Sequence, residues 1–154
     1  SGAVSRILIY TARLGYRGAD RLDITLGQVE PDPVGLLLAP SRQLLAEGQR
    51  RRNVADGNEA EAAATWAWYR GCYLEEQREA LKADRARLDP VLQRAAERGG
   101  EITLMCFCVI TPDAPRCHRV PAAELLVAWA SRRGYEAEGR GERLAAAPWQ
   151  GRLL

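Results

Sequence analysis

The run Glu101-Ile-Thr-Leu-Met-Cys-Phe-Cys-Val-Ile110 limits what this chain can fold into more than any other stretch. It is an apolar run rich in β-branched residues, which reads as a strand buried on both faces; such strands belong to parallel sheets covered by helices. The flanks agree. Asp89-Pro90 opens a helix, with aspartate as N-cap and proline in the first turn, and Gly99-Gly100 closes it just before the strand. Helix, glycine link and buried strand make half of a parallel crossover. Beyond the loop Thr111-Pro-Asp-Ala-Pro-Arg116, residues 120–133 predict a second helix with Leu125, Leu126, Ala128, Trp129 and Ala130 on its apolar face and Gly134 as C-cap.

The front of the chain is more broken. Residues 4–10 and 21–26 read as strands, the second closed by Gly27 and Pro31-Asp-Pro33, and residues 36–39 as a third short strand or a packed extended segment. Ser41 caps a helix over 42–47 that Gly48 stops, and residues 48–58 lack apolar periodicity and read as an exposed, mobile loop. Residues 59–86 predict a long helix with Trp66, Tyr69, Tyr73 and Gln77 on one face, where Gly71 implies close approach of another backbone. The aromatics read as core, or alternatively Tyr69 or Tyr73 points its hydroxyl at the cysteines. Residues 135–138 are a last strand, and the tail with Trp149 docks on the surface. Setting Ser1-Gly2-Ala3 aside as foreign to the fold, residues 4–154 are expected to form one three-layer α/β domain with a mostly parallel, Rossmann-like sheet.

At 154 residues such a domain buries about 70% of its unfolded surface and needs no staple. Four cysteines do not make a disulfide scaffold here, so a reducing cytoplasm is expected, and the lack of a signal peptide or long apolar span argues against a membrane partner. Net charge is only +2, which excludes a strong field toward nucleic acid. Arg50, Arg51 and Arg52 could contact phosphates, but in an arginine-biased chain they read first as a solvated loop.

Chemistry concentrates where the long strand stops and the next helix starts, the position at which open α/β folds place their sites. Three of the four cysteines and the only histidine are there. Cys106 and Cys108, two apart, share a strand face with Leu104 and Ile110. Cys117, His118 and Arg119 fall at a helix start, which favours anions and thiolates. Three readings follow. A thiol or acid–base enzyme would use Cys117 and His118, with Cys108 beside them, while Arg116 and Arg119 bind a phosphate or carboxylate. The pattern of cysteine, five residues and arginine used by phosphatases and rhodaneses is not met from Cys106 or Cys108. A zinc or iron site would use Cys106, Cys108, Cys117 and His118, but adjacent Cys117 and His118 seldom reach one ion and the spacing fits no common finger, so no cofactor is favoured. The third reading is a structural cluster, which suits Cys106 and Cys72 better than Cys117-His118-Arg119.

The block Ile102-Thr-Leu-Met-Cys-Phe-Cys108, a loop, Cys117-His-Arg119 and then Ala123-Glu-Leu-Leu126 resembles the signature of the proteins called domain of unknown function 488. Tyr10-Thr-Ala-Arg13, Asp23-Ile-Thr25 and Leu38-Ala-Pro-Ser41 are similar to that family's front half, so the resemblance covers most of the chain. It implies a single small α/β domain and a shared site at Cys106 or Cys108 with Cys117, His118 and Arg119; this chain has cysteine at 108 where relatives carry an acidic residue nearby, so an acidic partner for the histidine is either missing or supplied from elsewhere, for example Glu124 or Asp23. The expected function is an enzyme or binder of a small phosphorylated or nucleotide-like anion. Cys117, His118 and Cys108 would be catalytic; Arg119, Arg116, Tyr10, Thr11, Arg13 and Ser41 would hold the ligand. The alternative is a non-catalytic nucleic-acid or protein binding module using Arg50 to Arg52, its Cys/His cluster structural or metal-binding.

Overall fold

The computed structural model describes residues 4–108 and 116–143. The chain runs β1 (Arg6–Arg13), β2 (Arg21–Asp23), α1 (Pro33–Leu36), α2 (Arg42–Val54), α3 (Glu59–Ala83), α4 (Asp89–Glu97), β3 (Glu101–Cys106), α5 (Arg119–Arg132) and β4 (Glu136–Glu142). Gly99 and Gly100, both with positive φ, turn the chain out of α4 into β3. A side chain at Gly100 would also strike the Arg6 carbonyl at 2.6 Å, so β3 starts tight against β1.

The strands lie in the order β2-β3-β1-β4, and every pair is parallel. With the five helices among the described residues this is the architecture of the single three-layer α/β domain expected from the sequence. Register pairs Ile9 with Ile102, Thr11 with Leu104 and Leu22 with Leu104, so Ile7, Ile9, Leu22, Ile102, Leu104 and Cys106 share one face. That face packs in one core with Val91, Leu92 and Ala95 of α4 and Ala122, Leu126 and Ala130 of α5. Each fully buried leucine or isoleucine there contributes roughly 1.5–3 kcal/mol. Among the described residues no helix is long and apolar enough to cross a membrane.

Several elements depart from the sequence reading. The strand expected through Ile110 ends at Cys106; Phe107 and Cys108 bend out of it, and residues 109–110 lie outside the described residues. Cys108 is therefore not a strand residue, because the Cys106 and Cys108 carbonyls both turn to Arg119 Nη1, at 3.4 and 2.7 Å. The second strand stops at Asp23, whose carboxylate accepts from the Thr25 amide and hydroxyl and turns the chain. Residues 33–36 form the short helix α1, capped by Asp32, and 37–39 follow as turn, so the segment 36–39 is not a third strand.

Gly48 does not stop α2. The helix continues to Val54 with Gly48 inside it, facing the Tyr69 ring, and Arg50 to Arg52 are helical rather than looped. Gly71 faces open space, with no backbone packed on it. Asp89 does not cap α4; its carboxylate takes the Trp129 indole N–H and Arg133. The expected docking of Trp149 falls outside the described residues.

Candidate functional site

Beyond the carboxyl ends of β2 and β3 is a cavity of 420 Å³. Helical spacing builds its walls: Leu45, Gly48, Gln49 and Arg52 fall at i, i+3, i+4 and i+7 on α2, and Ala62, Thr65, Trp66 and Tyr69 repeat that pattern on α3. Thr25, Leu26 and Gly27, just past β2, close another side. Cys106, Phe107, Cys108, Arg116, Cys117 and His118 complete the lining. The surroundings are apolar and aromatic, with Trp66 stacked on Tyr69 at 6.1 Å and Phe107 65% exposed beside the thiols.

The polar centre of this cavity is three sulfurs and one imidazole. The Sγ atoms of Cys106, Cys108 and Cys117 all lie within 4.8 Å of one another. His118 Nδ1 stands 3.6 Å from Cys106 Sγ and 3.9 Å from Cys117 Sγ. On its other side His118 Nε2 is 3.0 Å from the Ile24 carbonyl oxygen, which can only accept. The ring proton is thereby assigned to Nε2, and burial, which lowers the His118 pKa, keeps the ring neutral with a lone pair on Nδ1 toward the sulfurs. Tyr73 packs edge-on against this ring at 5.5 Å and donates its hydroxyl to the Leu38 carbonyl, so it fixes the imidazole and does not reach the thiols with its oxygen.

The three thiols share charge unequally. Hydrogen bonds from Cys106 and then from Cys117 hold Cys108 well below the ordinary thiol range, against the cost of its burial, and the Arg52 charge acts in the same direction. Cys106, chiefly through its interaction with Cys108, and Cys117, through Cys106 first and then Cys108, are raised. Cys108 is also the most open of the three. Three cysteine side chains, of which Cys108 ionises most readily, and a neutral base are thus gathered at one end of a largely apolar chamber.

The expected site residues divide sharply. Cys106, Cys108, Cys117, His118 and Arg116 come together at the cavity. Arg116 pairs with exposed Glu59 at its edge. Arg119 is fully buried and does not line the cavity: its guanidinium donates to the Cys106 and Cys108 carbonyls, to Cys117 Sγ at 3.5 Å and to Glu142 at 2.8 Å. Its geometry is that of an internal clamp, with no donors turned to a ligand.

Tyr10 and Thr11 are not in the lining either, because β3 stands between β2 and β1 and places the cavity on the β2 side. The Tyr10 ring is covered by Arg143 at 3.5 Å, and the Thr11 hydroxyl donates to Glu142. Arg13 is exposed at the end of β1. Ser41 caps α2 by accepting from the Leu44 amide and donates to Glu76. The acidic partner sought for His118 is neither Glu124, which pairs with Arg70, nor Asp23, which is bonded to Thr25; a backbone carbonyl fills that position.

Gln49 and Thr65 are not among the residues to which the sequence points, and it offers Arg52 only as part of an arginine run that could contact phosphates, not as a wall of this cavity. The signal that could have found Arg52 is the i, i+3, i+4, i+7 series from Leu45, which becomes visible only if Gly48 is allowed inside a helix.

Fold and site together define a small parallel α/β protein with a thiol–imidazole cluster at the carboxyl end of its sheet. Residues 4–130 match the family model DUF488-N3a, described as the active DUF488-N3 subclade, and the chain belongs to that family. This bears out the resemblance seen in the Cys-x-Cys and Cys-His-Arg segments. No curated protein and no solved structure matches the chain.

Proposed function

We propose that the protein is a thiol-dependent enzyme acting on a small phosphorylated, nucleotide-like molecule, with Cys108 as nucleophile. The observation that carries this reading is the clustering of three Sγ atoms and the His118 Nδ1 lone pair at a 420 Å³ chamber walled by Trp66, Tyr69 and Phe107. A flat heterocycle stacks on such walls, and Arg52 and Arg116 suit a phosphate or carboxylate. In the first step Cys108 Sγ bonds to the electrophilic centre while the bond to the leaving group breaks, and the Cys117 thiol gives its proton to that group. In the second, water attacks the covalent intermediate, the Cys108 bond breaks, and His118 Nδ1 takes the water proton and returns it to Cys117.

A nucleic-acid module is less well supported, because the arginine triplet is divided: Arg50 and Arg51 hold Glu47, Arg51 also covers Trp68, and Arg52 turns to the cavity. The test is alkylation near neutral pH combined with a thermal-shift panel of nucleotides and their unphosphorylated nucleosides. One cysteine should react fast, be lost in Cys108→Ser, and be protected by a nucleotide whose saturable shift weakens at least about tenfold in Arg52→Ala, a loss of about 1.4 kcal/mol. Uniformly slow cysteines, or no saturable shift, would remove the proposal.

A further inference from the structure

Three sulfurs within 4.8 Å of one another, with an imidazole nitrogen 3.6 and 3.9 Å from two of them, are also a potential ligand set. We propose that Cys106, Cys108, Cys117 and His118 form a four-ligand site for a soft divalent metal ion of zinc's class. Tetrahedral zinc, with Zn–S near 2.3 Å and Zn–N near 2.0–2.1 Å, spaces its sulfurs about 3.8 Å apart and its nitrogen about 3.6 Å from each sulfur. His118 Nδ1 stands at that value from Cys106 Sγ, 3.6 Å, and at 3.9 Å from Cys117 Sγ, so the ring needs a small shift toward Cys117 and Cys108 to complete the shell. The sulfurs, within 4.8 Å of one another, need to close by at most about 1 Å.

Adjacent cysteine and histidine seldom reach one ion, but here Cys117 Sγ and His118 Nδ1 lie on the same side, 3.9 Å apart. His118 is the N-cap of α5 in helical conformation, and its ring lies back toward Cys117 and Cys106. Two further features fit a metal. The Nε2–H bond to the Ile24 carbonyl fixes the tautomer and ring plane as the outer partner of a ligating imidazole does. A dication held by three thiolates carries about one net negative charge, and the Arg119 guanidinium, 3.5 Å from Cys117 Sγ, is placed to balance it. The donor set contains no carboxylate, which disfavours magnesium and calcium. Binding releases to solvent whatever protons the three cysteines carry, since a thiol ligates as the thiolate. With four protein ligands the coordination shell is closed, so a loaded site masks Cys108. Metal binding needs only this geometry, whereas the masking rests in addition on the nucleophilic role of Cys108.

The full chain, stripped with a chelator under reducing conditions, would be titrated with zinc against a chromophoric chelator and separately with cobalt(II). The expected result is one zinc per chain and a cobalt spectrum with thiolate charge transfer and the intense visible bands of tetrahedral coordination. Cys106→Ser and Cys108→Ser should each weaken zinc at least tenfold with unchanged circular dichroism, while Cys72→Ser has no effect. Zinc should slow iodoacetamide labelling of Cys108 at least tenfold, reversed by chelator. Sub-stoichiometric zinc, octahedral cobalt, or undiminished binding in the serine variants overturns the metal site. If zinc fails to bind while Cys108 labels fast, the metal site falls and the nucleophile stands. If zinc binds but Cys108 is slow even after stripping, the nucleophile and its masking fall and the metal site stands.

Discussion

Arg119 shows what a single side chain contributes when its charge is buried. Its guanidinium is 0% exposed and joins the carbonyls of Cys106 and Cys108, the sulfur of Cys117 and the carboxylate of Glu142 on β4. It thereby sets the bend that takes Cys108 out of β3 and holds it beside the other thiols. A buried pair that loses one partner costs about 3–5 kcal/mol, and the 26% exposure of Glu142 places Arg119→Ala toward the lower end, since that carboxylate can hydrate. Urea unfolding should show this loss. Arg119→Lys should recover only part of it, because an ammonium cannot fork to two carbonyls and a carboxylate at once. The Cys-His-Arg block was legible in the sequence as a special segment. The direction of its arginine was not, because a helix start suits equally an arginine that meets a ligand and one that meets its own backbone.

At the scale of elements, the two glycines in long helices separate what local propensity shows from what packing decides. Gly48 reads as a helix stop and Gly71 as a close contact; the structure reverses both. A Cβ at Gly48 would lie 2.6 Å from two atoms of the Tyr69 ring, whereas one at Gly71 meets nothing within 4 Å. Gly71→Ala should therefore stabilise the protein by about 0.5–1 kcal/mol, a rise in Tm of roughly 1–4 °C. Gly48→Ala should destabilise it by about 1–3 kcal/mol despite the same gain in propensity, and should alter Tyr69 fluorescence because the ring is a cavity wall. Thermal unfolding of both variants checks the pair. The buried strand, the helices around it and the parallel crossover were readable because each is written in local periodicity. The cavity walls were not, since α2 and α3 contribute one face each and only their tertiary pairing makes those faces meet.

At the scale of the molecule, the crossover from β2 to β3 must bring α4 back alongside the sheet, and one ion pair fastens its two ends. Asp32, the N-cap of α1 just after β2, accepts from the Val34 amide and pairs with Arg94 of α4 at 2.8 Å, with side-chain exposures of 31% and 24%. The Arg94 hydrogen bond is the main reason that the Asp32 carboxyl titrates below its ordinary value. A folded-state pKa below the unfolded value of about 3.9 means that the unfolded chain binds the proton more readily. The pair's contribution is then fully present above the unfolded pKa and is lost as the pH falls through the folded one. Asp32→Asn keeps an amide oxygen for the cap and removes the charge, so it isolates the ion pair. For a partly exposed pair the stability difference from the parent should be about 0.5–1 kcal/mol. It should stay constant between about pH 5 and 8, and close toward zero as the pH falls below about 4. Urea unfolding of both proteins across that range measures it. A difference that widened on acidification would mean that Arg94 does not hold Asp32 as a carboxylate, and that α1 and α4 are fastened by packing alone.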